Sequence, residues 1–332
     1  MVSRFLTIPR TVLFLIFVFL AILPFVLDSR YWLILLTQVF IFAIFAMSYD
    51  ILLGYTGIVS FGHAMFFGIG AYSVAIFMDR FGNSYGSLIA AVGTAVLLTA
   101  IVSAIVGLLT LRLQSHFFAM LTLAVSGLFV VIAEKWRAVT HGTEGFTFAI
   151  PPFLRDRTTM YFICLAMMII TLLVLSRFTN SPFGRVLVAI RENEKRTESL
   201  GFQTLYYKVI ASVVAGVFAG FSGCLYALTL RFVNTTVLSV QYTLDVLLMT
   251  IIGGVGTLYG GILGSALIQL VHHYLTNLAK VHWIFERWLI LFGIVYIVVV
   301  MIFPQGIIGT ARLWWAKSRF WKMREERTGF HG

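Results

Sequence analysis

Polar side chains interrupt a glycine-rich and otherwise apolar stretch of the sequence, residues 50–72, where Asp50, Ser60 and His63 stand out. The glycines of this stretch disfavour a continuous helix. At membrane depth, irregular backbone persists only where it is packed in protein or lines a wet cavity, and polar groups there are costly. Close packing of helices through small residues is the competing explanation for the glycines. We expect a helix break that lines or gates a central cavity.

A second glycine-rich stretch, residues 253–261, repeats the spacing of the first. The matching glycines are Gly54, Gly57 and Gly62 in the first stretch and Gly253, Gly256 and Gly261 in the second. Paired glycine-interrupted segments point to an internal repeat and to a path through the membrane. The second stretch lacks the Lys-Ser/Thr pair of a phosphate-binding loop, so we expect no nucleotide there. The predicted cavity residues are Gly57, Ser60, Phe61, Gly62, His63, Gly256 and Thr257.

A nucleophilic serine is the competing chemistry, because residues 220–223, Gly-Phe-Ser-Gly, resemble the Gly-x-Ser-Gly of rhomboid intramembrane proteases. A nucleophile needs a base within hydrogen-bond reach. His272 and His273 lie in a later apolar run, but the glycines that follow a rhomboid's histidine are missing. The HExxH motif is absent, and Cys164 and Cys224 have no metal-ligand spacing. We therefore predict a small-residue packing face, and neither an enzyme, a metal site nor a cofactor.

The amino-acid composition indicates what kind of secondary structure positions these residues. Apolar residues of the types AVILMFWYC make up 60% of the 332 residues and charged residues 11%, with a mean hydropathy of +0.97. Soluble domains contain about half apolar and about a quarter charged residues. The chain is therefore predicted to be an all-α integral membrane protein, with residues 1–332 forming a single transmembrane domain.

Ten apolar runs are candidate membrane spans, since a spanning helix needs roughly 20 mostly apolar residues. The eighth run is too short to cross unaided, so both a span and a re-entrant segment remain open for it. The runs are Thr11–Leu27, Tyr31–Leu53, Ile58–Met78, Leu88–Leu111, Phe117–Ala133, Met160–Ser176, Val209–Leu230, Tyr242–Ile252, Leu258–Leu278 and Trp288–Phe303.

The distribution of basic residues predicts the orientation, because Lys and Arg accumulate on the cytoplasmic side of membrane proteins. With ten spans and the N-terminus inside, the inner loops and the tail hold fifteen of the 24 basic residues. Merging the eighth and ninth spans would place the basic tail, residues 304–332, outside. We therefore predict ten spans with both termini cytoplasmic. The net charge of +11 then reflects anionic lipid and acidic partner surfaces and not nucleic acid.

A charge-rich inner loop, residues 177–208, contains a predicted amphipathic helix. Ser181 caps its start, Pro182 occupies its first turn, and Gly201 ends it. Such a loop is often only solvated, but a capped helix with a small apolar face suits a partner's groove. The predicted docking residues are Arg185, Leu187, Ile190, Arg191, Glu198 and Gly201, with Leu187 and Ile190 as apolar anchors.

Six stretches resemble the LivM-type branched-chain amino-acid ABC permease family and follow its order from the second span to the ninth. They are Leu53-Gly-Tyr-Thr-Gly-Ile-Val-Ser-Phe-Gly-His-Ala64, Phe118-Ala-Met-Leu-Thr-Leu-Ala124, Ile150-Pro-Pro152, Pro182-Phe-Gly-Arg-Val-Leu-Val-Ala-Ile-Arg-Glu-Asn-Glu194, Glu198-Ser-Leu-Gly201 and Leu247-Leu-Met-Thr-Ile-Ile-Gly-Gly-Val-Gly-Thr-Leu-Tyr-Gly260. Together these motifs are specific to the family.

The resemblance implies the permease subunit of an ATP-binding-cassette importer. Such a subunit moves branched-chain or other small apolar amino acids across the inner membrane by alternating access. Its implied partners are a second permease subunit (a copy of itself or a relative), two cytoplasmic ATPase subunits and a periplasmic substrate-binding protein. The resemblance also implies that the segment from Pro182 to Gly201 is the coupling helix.

Two alternatives remain open at this stage. His141, in the loop from Thr140 to Phe146, stands where the family's Thr-Gly-Gly-x-x-Gly pattern has glycine, which leaves open a permease for urea or short amides. An ion-coupled secondary transporter would need membrane-embedded acids, for which Asp50 and Asp245 are the candidates. A docking helix has no role in such a transporter.

Overall fold

A computed structural model describes residues 18–25, 30–111 and 115–278, with isolated positions 293, 297, 301, 306, 307, 309 and 310. Residues 18–25 are helical. The first predicted span therefore lies only partly within the described residues. The tenth predicted span and the basic tail lie outside them, apart from those isolated positions.

The described chain is almost entirely helical, as predicted. Its helices are α1 (Arg30–Asp50), α2 (His63–Phe81), α3 (Tyr85–Thr110), α4 (Ser115–Lys135), α5 (Arg137–Thr140), α6 (Arg157–Asn180), α7 (Pro182–Glu192), α8 (Glu194–Ser199), α9 (Thr204–Leu230), α10 (Val240–Gly253) and α11 (Leu258–Leu278). A π-helix, Ile51–Thr56, extends α1, and 3₁₀ turns cover Gly142–Glu144, Pro152–Arg155 and Thr235–Leu238. Two short strands, β1 (Phe146–Thr147) and β2 (Phe232–Val233), pair antiparallel.

Six of the described helices are long and apolar enough to cross a bilayer: α1 with its π-helical extension, α2, α3, α4, α6 and α9. They coincide with the second to seventh predicted spans, although α2 begins at His63 and not at Ile58. The chain is therefore a membrane protein with several spans.

The count of ten spans is not confirmed, because the eighth and ninth predicted spans form one bent pair. The axes of α10 and α11 differ in direction by 115° across a break of four residues, so the pair counts as one broken span or as a re-entrant loop. A helix of 14 residues such as α10 is roughly 21 Å long, shorter than the roughly 30 Å hydrocarbon core. The described residues thus contain six spans, or seven if the pair is one span.

The central helix of the bundle is α1, which packs against α6, α9, α10 and α11, while α9 packs closely on α2 and α3. Side chains of α1 from Val39 to Met47 are buried almost without exception. By contrast, α3 and α4 expose many large apolar side chains, among them Ile89, Leu97 and Leu128. An apolar surface of this kind suits contact with lipid.

The connections gather at two ends of the bundle. At one end, which we call the strand end, β1 pairs with β2 and the Arg231 guanidinium donates to the Arg155 carbonyl at 2.8 Å. At the other, the coupling end, residues of the segment 190–194 line a cavity together with Gly57, Leu111 and Lys208. Loops that the sequence predicts on the same side of the membrane therefore meet in the structure.

Candidate functional site

The two glycine-rich stretches meet directly at the coupling end. The Asp50 carboxylate, at the last residue of α1, accepts a hydrogen bond from the Gly256 N–H at 2.7 Å. Asp50 is fully buried, and its second oxygen has no hydrogen-bond partner among the described residues. We call this site, formed by Asp50, Gly54, Gly57, Gly256 and Arg191, the glycine junction.

Local sequence explains why the chain breaks here. After Asp50 the backbone widens into the π-helix, and Gly57 ends it in the left-handed region at φ 76°. In the second stretch α10 ends at Gly253, and Gly254 and Gly256 have φ values of 122° and 77°. These conformations strain any residue with a Cβ. The predicted interruption of both stretches is confirmed, and π-helical turns of this kind are frequent at functional sites.

Close approach is the second reason for glycine at the junction. A Cβ on Gly54 would overlap the Asp50 Oδ1 and the Gly256 backbone, whose Cα would be only 2.7 Å away. A Cβ on Gly57 would lie 2.7 Å from the Arg191 Cγ. The junction therefore has no room for larger side chains on either stretch.

Arg191 connects the charged loop to this junction. Its guanidinium donates to the Gly54 carbonyl, and its Nη1 would lie 3.2 Å from a Cβ on Gly256. The guanidinium also acts electrostatically on the Asp50 carboxylate. A hydrogen bond from a charged donor is stronger than one between neutral groups. One side chain thus joins the predicted coupling segment to both breaks.

The predicted coupling helix is two helices, α7 and α8, and not one. Ser181 caps α7 by accepting from the Gly184 N–H at 3.3 Å, as predicted. Asn193 then leaves the helical region at φ −161° and caps α8 by accepting from the Arg196 N–H at 3.0 Å. Gly201, at φ 90°, follows the end of α8.

The predicted apolar anchors face inward, which corrects the expected mode of docking. Leu187 and Ile190 are 0% and 3% exposed and belong to the core of this chain, so they do not form a face for a partner. The sequence pattern could not distinguish an apolar face turned to a partner from one turned to the chain itself. The surface left open on the segment is charged, and it includes Arg185, Glu192, Arg196 and Glu198.

Exposed apolar side chains follow α8 at the same end. Leu200 is 71% exposed and Tyr206 is 60% exposed, with the partly exposed Phe202 between them. Internal contacts hold this turn in place: the Thr204 hydroxyl donates to the Glu198 carboxylate at 2.7 Å, and Lys208 pairs with Glu194. Charged residues around an apolar centre are the usual anatomy of a protein interface. The sequence pattern does not predict this patch, because Leu200 is the last residue before the glycine that ends the predicted helix, and Phe202 and Tyr206 lie beyond it.

The residues predicted to line the path are mostly packed within the protein. Ser60 accepts from the Gly62 N–H at 3.3 Å, and the Phe61 N–H donates to the Thr122 hydroxyl at 3.2 Å. His63 is fully buried, with its Nε2 2.9 Å from the Ser48 hydroxyl and its ring stacked on Phe45.

The remaining predicted path residues divide between packing and a cavity. The Thr257 hydroxyl donates to the Gly254 carbonyl at 2.6 Å. Gly57 lines the cavity at the coupling end, which has a volume of about 280 Å³ and is bordered by Arg191, Glu192 and Lys208. The path assignment thus stays a prediction, with a cavity next to Gly57 and dense packing around His63.

Ser222 has the geometry of a packing residue. It is fully buried, and its hydroxyl donates to the Ala219 carbonyl of the preceding helical turn at 2.7 Å. A Cβ on the adjacent Gly223 would overlap the backbone of α2 at Phe67. These contacts agree with the small-residue packing face expected from the sequence.

His141 occupies a backbone conformation that favours glycine. Its φ of 58° lies in the left-handed region, which explains why a glycine suits this position. The imidazole Nε2 lies 3.9 Å from the Asp79 carboxylate, and the ring centroid lies 4.6 Å from that of Phe146. The loop at the strand end therefore accommodates the His141 side chain, which lies close to Asp79 and Phe146.

Comparison with known proteins identifies the family. The family described as branched-chain amino acid transport system / permease component matches residues 31–302. The high-affinity branched-chain amino acid transport system permease protein LivM of Salmonella typhimurium is 23% identical over 304 residues, covering 83% of this chain and 69% of that protein. The probable branched-chain amino acid transport permease protein LivM of Methanocaldococcus jannaschii is 26% identical over 313 residues, covering 81% and 90%.

No solved structure matches the chain. The family match nevertheless extends over most of the sequence, from α1 through α11 and beyond. The chain therefore belongs to the branched-chain amino acid transport permease family.

Proposed function

We propose that this chain is the membrane-spanning permease subunit of an ATP-binding-cassette importer. It moves branched-chain or other small apolar amino acids across the inner membrane by alternating access. Its partners are a second permease subunit of the family, two cytoplasmic ATPase subunits and a periplasmic substrate-binding protein. The family membership and the names of the relatives support the amino acid and the transport role.

The position of Arg191 is the main support for the proposal that this segment couples the ATPase subunits to the transmembrane path. An importer of this class must transmit movement from the ATPase subunits to the transmembrane path. Arg191 belongs to the charged segment and contacts Gly54 and Gly57 in the first helix break. A displacement of α7 therefore acts directly on the junction where α1 and α10 meet.

The ATPase contact is assigned to the exposed surface of the segment and not to Leu187 and Ile190. Leu200 and Tyr206 supply the apolar centre, and Arg185, Glu192 and Arg196 supply the charged surround. Interface energy concentrates in such apolar anchors, while charges adjust register and the association rate. The side of the membrane that carries this surface is the cytoplasmic side in the predicted orientation.

The test is purification of the tagged chain in mild detergent after co-expression with its ATPase subunits and second permease. We expect the ATPase subunits to co-purify with the parent chain. Leu200→Asp places a charge at the centre of the contact and should reduce bound ATPase at least about tenfold, while the permease is still inserted at the parental level. A parent chain that binds no ATPase would contradict the importer assignment itself.

A matched control comes from the strand end. Phe153 is 58% exposed, close to the exposure of Leu200, but it lies in the 3₁₀ turn between β1 and α6. Phe153→Asp should leave ATPase binding unchanged. Equal loss of ATPase in both variants would show that the Leu200 effect is not specific to the coupling end.

A further inference from the structure

A polar cavity lies between α1, α9, α10 and α11, separate from the residues of the glycine junction. Its volume is about 390 Å³, within the range of about 300–1,000 Å³ typical of ligand pockets. Its polar lining is formed by Gln38, Tyr226, Gln241, Tyr242, Asp245, Gln269 and His272. All of these residues belong to candidate membrane-spanning helices. Polar groups at such depth are costly and mark the pathways of substrates or ions.

Asp245 supplies a negative charge to this cavity. The side chain is half-buried, and its Oδ1 accepts a hydrogen bond from the Gln241 Nε2 at 3.2 Å. The carboxylate also borders the open space of the cavity. Asp50 in the glycine junction differs, because the Gly256 N–H and Gly54 lie against it. The Asp245 carboxylate can therefore receive a cationic group from a ligand.

Aromatic rings form one wall of the cavity. Phe42 stacks on Tyr242 with centroids 6.1 Å apart, and the Tyr226 ring lies 5.9 Å from that of Phe42. The two tyrosine hydroxyls are 2.6 Å apart and satisfy each other by a hydrogen bond. Aromatic faces within about 6 Å attract ammonium groups, and they do so more strongly where water is excluded.

The rest of the lining complements the other parts of an α-amino acid. The amide NH₂ groups of Gln38 and Gln269 are donors for a carboxylate. The buried Met249 and Ile268 give an apolar surface to an aliphatic side chain. A neutral urea or short amide would leave Asp245 without an opposite charge, which is unfavourable for a carboxylate at membrane depth.

We propose that this cavity is the intramembrane binding site of the translocated substrate, with the primary ammonium group of a zwitterionic α-amino acid on Asp245. This inference rests on the proposed transport function and deepens it, because it names a recognition element in the permease itself. The amide side chains hold the carboxylate, and the apolar residues hold the aliphatic side chain. Recognition of the ammonium group excludes urea and short amides as substrates.

The experiment uses the assembled importer in liposomes of phosphatidylcholine and phosphatidylglycerol, in which no headgroup carries a primary amine. Gln269→Cys is labelled with 2-aminoethyl methanethiosulfonate, which is cationic, and with its anionic sulfonatoethyl analogue of similar size. We expect the cationic reagent to react about tenfold faster, owing to the nearby carboxylate. Adding Asp245→Asn should abolish this preference. The native Cys164 and Cys224 are buried, so the parent chain gives the background.

Substrate protection is the second arm. Saturating leucine with its binding protein and ATP should slow labelling of Gln269→Cys severalfold, whereas urea should not. If phosphatidylethanolamine in the liposomes slows the labelling of Gln269→Cys and leucine does not, the ammonium site belongs to a lipid headgroup and the proposal is overturned. Gln38→Cys is a second reporter if the first variant does not fold. Equal rates with both reagents at both positions would also overturn it.

Uptake assays distinguish an error in the binding-site inference from an error in the proposed transport function. Asp245→Asn should lower the maximal rate of ATP-driven leucine uptake at least about tenfold. Asp79→Asn, at an exposed acid beside His141, should stay within about twofold of the parent. If the parent importer takes up no amino acid, the proposed function fails. If the parent transports leucine and Asp245→Asn transports equally well, only the binding-site inference fails.

Discussion

Two aspartates on helices of the bundle, Asp50 and Asp245, have opposite surroundings. Asp50 is fully buried, accepts the Gly256 N–H at 2.7 Å and has Gly54 packed against its carboxylate. Asp245 lines a cavity of about 390 Å³ and is bonded by the side chain of Gln241. The first acid is used to join two helix breaks, while the second faces space that a ligand can fill. The two acids therefore differ in role because different groups lie against their carboxylates.

The same substitution at both acids gives the largest expected contrast. Asp50→Ala leaves the Gly256 N–H without an acceptor and should destabilise the permease by about 3 kcal/mol. We expect a clearly lower melting temperature in detergent and a lower yield. Asp245→Ala should leave the melting temperature within a few degrees of the parent and reduce uptake. Matching losses of stability in the two variants would remove the distinction between a structural acid and a binding acid.

Adding a methyl group at the glycine junction should give the second-largest loss of stability. Gly54→Ala brings a Cβ into overlap with Asp50 and Gly256, and repacking should cost about 2 kcal/mol. Gly93→Ala on α3 is the control, since no atom lies within 4 Å of a Cβ there. In a helix interior this control should be neutral or stabilising by up to about 1 kcal/mol. Thermal unfolding of both variants in the same detergent is the measurement, and equal melting temperatures would contradict the close packing at Gly54.

Two arginines on α7 distinguish transmission from surface charge. Arg191→Met removes the donor to the Gly54 carbonyl while keeping a long side chain. A charged hydrogen bond contributes about 1.5–3 kcal/mol, so uptake should fall about tenfold while the bound ATPase still hydrolyses ATP. Arg185→Met removes an exposed charge from the rim of the proposed ATPase contact, so it should weaken ATPase binding slightly but leave the uptake per ATP hydrolysed unchanged. Parallel uptake and hydrolysis assays test this, and an Arg191→Met importer that transports at the parental rate would exclude the transmission role.

The smallest effect is expected at the strand end, where Asp156 caps α6. Its carboxylate accepts from the Thr159 N–H at 2.9 Å, and this bond lowers the pKa of Asp156. Asp156→Ala should cost about 1 kcal/mol at neutral pH. Because the pKa is lower in the folded state, this contribution is complete above the unfolded pKa of about 3.9 and is lost as the pH falls through the folded value. Asp156→Asn keeps a cap, so its stability should depend less on pH, and unfolding curves at several pH values measure both changes.

The sequence predicts the helical class, both breaks and ten spans, six of which coincide with described helices, because apolar runs and glycines are local signals. The matched glycine spacing also pointed to two related stretches, and these stretches meet at Gly54 and Gly256. What local patterns cannot predict is which neighbour an apolar or polar face contacts. For this reason the sequence predicts a partner contact for Leu187 and Ile190, although both pack within the chain.

The bent pair and the polar cavity show the same limit of local patterns. The sequence predicts that residues 242–252 are too short to span, but the 115° angle between α10 and α11 depends on the backbone conformations of Gly254 and Gly256. Gln241 and Asp245 lie four residues apart on one face of α10 and bond each other. That spacing was a usable signal for the cavity. The contributions of Gln38 and Tyr226 come from other helices and have no local signature.

The most direct test of the central claim is leucine uptake by proteoliposomes that contain this chain, its permease partner, both ATPase subunits and the binding protein. A cysteine at Asn193 and one at Thr143, labelled with an impermeant thiol reagent, report which end of the bundle faces outward. The account predicts that leucine accumulates only when ATP is present on the side of Asn193 and the binding protein is on the side of Thr143. Accumulation driven by an ion gradient without ATP, or by ATP on the side of Thr143, would contradict it.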